Sequence, residues 1–195
     1  YNFAQMTENI GRFTAAGVDL DTSVESIKGI ANLAAASGSS PAQATSAMYQ
    51  LSQAIAAGKV SLQDWNSVVN AGMGGKLFQD ALIRTSEVMG TGADAAIKKY
   101  GSFRDSLTKG QWLTGDVLTE TLKQISGAYT EAELKAQGYT DAQAKAITQL
   151  AENATKAATE VKTVSQLFDT MKESVGSGWA QSWKYIIGDK DQATK

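Results

Sequence analysis

The sequence predicts an all-α protein, and three observations carry that prediction. Helix-start signatures recur along the chain, glycines stand where the helices they open should stop, and no stretch sustains the period-two alternation of a half-buried strand. The predicted architecture is a bundle of short, glycine-punctuated helices over residues 1–138. One long helix with a coiled-coil-like heptad seam and an aromatic end segment follows over 139–188, and a polar tail at 189–195 leads into the rest of a longer chain.

The elements follow in order. Thr22 with Glu25 forms a capping box, in which a hydroxyl and an acid or amide three residues on satisfy each other's backbone donors. Behind it Val24, Ile27, Ile30 and Ala34 line one helical face, and Gly38 ends it. Ser40 with Gln43 opens the next helix, reinforced by Pro41 at the first helical position, where a missing N–H costs nothing. Its face is Ala44, Met48, Leu51 and Ile55, and Gly58 closes it. These alanine-rich stripes let helix axes approach closely, so the two helices are expected to pack as an antiparallel pair across Gly38–Ser40. Ser61 with Asp64 starts a short helix carrying Leu62, Trp65, Val68 and Val69. A flexible joint at Gly72–Gly75 separates it from a helix begun by Leu77, Phe78, Ala81 and Leu82 and ended by Gly90. A further pair covers Thr91–Tyr100, with Thr91 and Asp94 as its cap, and Thr114–Ser126, bounded by Gly101 and Gly127. Thr130 with Glu133 and Thr140 with Gln143 are two more capping boxes, separated by Gly138; Gly188 marks a later stop.

From Thr140 a long helix runs to about Ser174, before Gly176 and Gly178 weaken it. Ile147, Leu150, Ala154, Ala157, Val161, Val164, Phe168, Met171 and Val175 recur alternately three and four apart, with Gln, Glu, Asn, Lys and Thr between them. A 3.5-residue repeat keeps one narrow stripe facing a partner helix, either in another chain or within the same bundle. The thin middle at Ala154 and Ala157 predicts that the segment alone is monomeric or weakly associated. Trp179 and Trp183, one turn apart beside Tyr185, Ile186 and Ile187, read as a docking face.

Composition excludes several chemistries. The chain has no Cys and no His, which removes disulfides, thiolate nucleophiles, thiolate zinc sites and the commonest general base and metal ligand. No catalytic, cofactor-binding or metal-binding residue is assigned, and the chain is read as a non-enzyme. A net charge of −2 with both signs interspersed gives no footprint for nucleic acid. Asn70 to Lys76 imitates a phosphate-binding loop, but Asn70 stands where its first glycine belongs and Leu77 where Ser or Thr belongs. Asp19, Asp21 and Ser23 begin like a calcium loop, yet Val24 occupies the turn-glycine position and Ile30 the bidentate-Glu position. The uncharged span Gly29–Gly58 holds Asn32, Gln43, Gln50, Gln53 and Pro41, too polar for a membrane helix. Tyr1 and Lys195 do not look like natural termini, so the chain reads as a segment of something longer.

Three blocks carry a family likeness. The run from Met48 through Gly58 to Trp65, the stretch Val69 to Met73 continuing into Phe78–Leu82, and Val164 through Trp179 to Trp183 with the Ile187-Gly188-Asp189 ending resemble the tail tape measure proteins of long-tailed bacteriophages. The likeness spans about Asn2 to Asp189 and matches the conserved N-terminal-half segment of that family. It implies a structural virion component, made in the cytoplasm of the bacterial host, that acts in tail length determination and tail assembly and leaves ahead of the DNA at infection. It implies self-association through helices and contact with tail tube, tail-tip and tail-assembly proteins, with no cofactor. The alternative is a membrane-active module of the same machine, contributing to a DNA-delivery channel, with Gly29–Gly58 as its candidate. A carboxylate-based hydrolase stands last, for want of His and of any nucleophile arrangement.

Overall fold

The computed structural model describes residues 3–159, and these fold into ten helices. They are α1 (Phe3–Ala15), α2 (Leu20–Ser37), α3 (Pro41–Ala57), α4 (Leu62–Asn70), α5 (Lys76–Met89), α6 (Ala93–Tyr100), α7 (Phe103–Lys109), α8 (Gly115–Ser126), α9 (Glu131–Gln137) and α10 (Asp141–Thr159). The all-α expectation holds: among the described residues the only extended pairing is an isolated antiparallel bridge between Lys59 and Thr114.

Local chemistry sets the boundaries. The capping boxes at Ser40/Gln43, Ser61/Asp64 and Thr130/Glu133 are formed with both of their hydrogen bonds. Gly38, Gly58, Gly90, Gly101, Gly127 and Gly138 end their helices in the left-handed region, the conformation that only a residue without Cβ adopts cheaply. Two caps differ from expectation. The second helix starts at Leu20, where the Asp19 carboxylate accepts from the Thr22 N–H at 2.9 Å, so Thr22 lies inside the helix. Thr91 does not cap α6. Ser86 Oγ and Glu87 Oε1, from the last turn of α5, accept from the N–H groups of Ala93 and Asp94 at 3.0 and 2.8 Å. A polar residue before a helix is a local signal, but an acceptor from a neighbouring helix serves equally well when the turn is tight.

Helix α2 is central. Val24, Ile27, Ile30, Ala31, Leu33 and Ala34 are buried, and α1, α3, α8 and α10 all pack against it. Helices α2 and α3 do touch, but the closest approach of α2 is to α8. A Cβ placed on Gly29 would lie 2.2 Å from the Leu122 carbonyl oxygen, so glycine is required where the two backbones meet. A second knot is aromatic: Trp65 lies 5.8 Å from Phe78 and 4.7 Å from Phe103, and Phe103 meets Trp112 edge-on at 5.5 Å, between ring centroids. The buried indole N–H of Trp112 donates to Ser106 Oγ at 2.9 Å, so the large apolar surface is buried with its polar handle satisfied. Beside this knot the Gly72–Gly75 joint, read as flexible in the sequence, is fastened. Met73 is buried and its N–H donates to Val68 O, while Ser39 Oγ donates to Ala71 O at 2.6 Å.

A buried polar chain links α5, α8 and the turn before α10. Thr121 donates to Thr85 Oγ1 at 2.8 Å, Thr85 donates to Ala81 O at 2.8 Å, and Gln124 Nε2 donates to the Tyr139 hydroxyl at 2.7 Å. Tyr139 belongs to a second small core with Leu134, Ala144 and Ile147, packed against Val88 and Tyr129.

Candidate functional site

The sequence singles out the heptad seam of the last helix. Its described part is opened by the Thr140/Gln143 box, with Gln143 N–H donating to Thr140 Oγ1 at 3.1 Å and Thr140 N–H to Gln143 Oε1 at 2.9 Å. No residue in Asp141–Thr159 is Gly or Pro, so nothing in the sequence interrupts the hydrogen-bond ladder over these turns.

This part of the helix lies on α2, α8 and α9. Ile147 and Ala154 of the seam are buried, whereas Leu150 and Ala157 are half-buried at its margin. The buried stripe is Ala144, Ile147, Ala151, Ala154 and Ala158, again spaced three and four apart but rotated from the sequence seam. The signal was present as regularly spaced alanines, and the larger Leu150 and Val161 outweighed it. Small side chains let α10 sit close to α2, where the buried Asn32 Nδ2 donates to Ile125 O at 3.0 Å and to Thr155 Oγ1 at 3.1 Å. The remaining seam residues Val161, Val164, Phe168, Met171 and Val175 lie outside the described residues, as do Trp179 and Trp183 and the segments 160–188 and 189–195.

Two cavities lie on the described surface, one of them beside α10. One, about 670 Å³, opens between α2, the end of α8, α9 and α10, and is lined by Lys28, Tyr129, Glu131, Glu152, Thr155 and Lys156. Burial, then a 2.6 Å hydrogen bond to Glu120, pushes the Tyr129 hydroxyl well above the ordinary tyrosine range. The other, about 360 Å³, lies away from α10 and joins Lys59 before α4 and Gln63 in its first turn to Lys109 at the end of α7 and Gln111 after it. Among the described residues no group of three His, Cys, Asp or Glu is placed to hold a metal. No helix among them is long and apolar enough to cross a membrane. Asp19, the first residue of the discarded calcium pattern, is used as the cap of α2, and its Thr22 hydrogen bond holds its carboxyl below the usual range.

Comparison with known proteins adds one positive finding: residues 1–163 match the family model described as tape measure protein. No curated protein and no solved structure matches the chain.

Proposed function

The chain belongs to the tape measure protein family, a structural component of bacteriophage tails, and from that premise we propose that it acts in tail length determination and tail assembly and leaves ahead of the DNA at infection. The observation that carries this reading is the family match over residues 1–163, which covers most of the chain. The physics of a ruler supports it, because a helix gains about 1.5 Å per residue and so turns chain length into distance.

Self-association through the seam is part of the same reading. In its described turns α10 spends Ala144, Ile147, Ala151, Ala154 and Ala158 on its own bundle. Beyond them the sequence carries larger apolar residues at Val161, Val164, Phe168, Met171 and Val175, suited to a partner helix in another copy or in a tail protein. Trp179 and Trp183 supply a docking face next to it.

The test is tail length by electron microscopy in phage whose gene carries a tandem duplication of residues 147–174. Those residues are four whole heptads, so the seam stays in register. Duplication is preferred to deletion because Ile147, Ala151, Ala154 and Ala158 are needed by the bundle. The expected outcome is tails longer by roughly 42 Å. Tails of unchanged length would remove this helix from the ruler.

A further inference from the structure

All nine glycines with positive φ among the described residues fall between Gly17 and Gly138, at helix ends and turns. From Tyr139 to Val175 the sequence holds neither Gly nor Pro. Up to Gly138 the backbone is thus built to turn back repeatedly, whereas from Tyr139 to Val175 the sequence carries no residue that breaks a helix. The longest helix before Gly138 is α2, with 18 residues or roughly 27 Å. As a single helix, residues 3–138 would extend roughly 200 Å.

We propose that residues 3–158, including the turns of α10 packed on α2, α8 and α9, enter the tail as a folded unit whose residues are not counted by the ruler, and that counting begins only beyond Ala158. The proposal rests on the tape-measure reading above and deepens it by dividing the chain into a contact module and a measuring helix. Three features hold the unit folded. Its core buries Trp65, Trp112, Phe13 and Phe78 almost completely, and an extended helix would return all four to water. Its polar side chains are committed to distant partners: Asn32 to Ile125 O, Thr85 to Thr121, and Ser126 to Glu25. Its turns carry left-handed glycines and a capped Pro41, each of which opposes a continuous helix through that point.

The experiment compares two insertions of equal length in the phage gene. One is the duplication of residues 147–174. The other is a helical hairpin placed between Gly101 and Ser102, where the α6 terminator and the α7 cap are both retained. The expected result is a longer tail with the first insertion and an unchanged tail with the second. Lengthening by both would overturn the folded-unit proposal and leave the ruler reading standing. Lengthening by neither would overturn the ruler reading itself. A second measurement does not depend on the inserts folding. The chain has no native Cys, so Thr85→Cys with Thr121→Cys reports one contact: their hydroxyls are 2.8 Å apart in the folded unit. In a single helix these positions would be roughly 54 Å apart. Diamide treatment should close this disulfide in intact virions as it does in the purified chain. Its absence in virions alone would overturn the proposal.

Discussion

Gly29→Ala is the most discriminating single change, because two effects of known sign oppose each other there. In a free helix, Ala in place of Gly stabilises by about 1 kcal/mol, since less backbone entropy is lost on folding. In this fold the new Cβ would lie 2.2 Å from the Leu122 carbonyl oxygen and 2.9 Å from its carbon, both backbone atoms that no rotamer change can move aside. Ordinary contact begins near 3.4 Å, so α2 and α8 must part by about 1.2 Å at their closest point. One turn further on, that movement also strains the 3.0 Å bond from Asn32 to Ile125 O. Overpacking of this kind costs about 1–3 kcal/mol, and more when backbone must shift. Subtracting the propensity gain leaves a net destabilisation of about 0–2 kcal/mol, toward the upper end because both obstructing atoms are backbone, and about 2 kcal/mol corresponds to roughly 4–8 °C in Tm for a unit of this size. Thermal unfolding of the purified chain followed by far-ultraviolet circular dichroism measures it. A Tm raised by about 3 °C, as propensity alone predicts, would refute the close α2–α8 crossing.

Three further changes test other parts of the fold. Ser106→Ala leaves the buried Trp112 N–H without its acceptor and should cost about 1–3 kcal/mol, read by denaturant titration of tryptophan fluorescence; an unchanged midpoint would exclude that bond. Asp19→Ala should cost about 1 kcal/mol at neutral pH through the lost cap. Because the folded Asp19 pKa is lowered, by the Thr22 bond above all, its contribution is present above the ordinary aspartate range and fades as pH falls through the lower folded value. Mutant and parent stabilities should therefore converge in acid, and a gap that stays constant down to pH 2 would contradict this. Tyr129 has the opposite sign: its raised pKa leaves its contribution intact below the ordinary tyrosine value and removes it as pH rises beyond that value. Absorbance at 295 nm should show one late-titrating phenol that is missing in Tyr129→Phe, and identical titration curves would rule it out.

Much of the fold was legible because its punctuation is local. Ser40/Gln43, Ser61/Asp64 and Thr130/Glu133 lie three residues apart in sequence and bond as that spacing implies, and Gly38 through Gly138 stop helices where expected. What was missed is non-local or short. The cap of α6 comes from Ser86 and Glu87, across a turn that the Thr91/Asp94 pattern did not reveal. Helix α7 has only seven residues, too few for a period to stand out, although Ser102 caps it through the Asp105 N–H at the same three-residue spacing as Ser61 and Asp64, a local signal that was overlooked. The need for glycine at Gly29 arises from Leu122, far away in sequence. The α10 stripe was half-legible. Ile147 and Ala154 lie on the buried face as the seam required, but the bundle chose Ala151 over Leu150 because a small residue lets α10 lie closer to α2 and α8.

The polar chain through Thr121, Thr85, Gln124 and Tyr139 has a consequence for alignment. Val117, Leu118, Leu122 and Ile125 would pack tolerably against their neighbours if α8 slid by one turn, because apolar contacts are forgiving of position. The hydroxyls and the amide are not. A slip of one turn, about 5.4 Å, would set apolar groups opposite Thr85 and strand the Gln124 amide away from the Tyr139 hydroxyl, leaving buried donors unmet. These side chains thus act as a register key: the oily faces hold α5 and α8 together, and the polar chain, reaching on to the turn before α10, selects the one offset at which they lock.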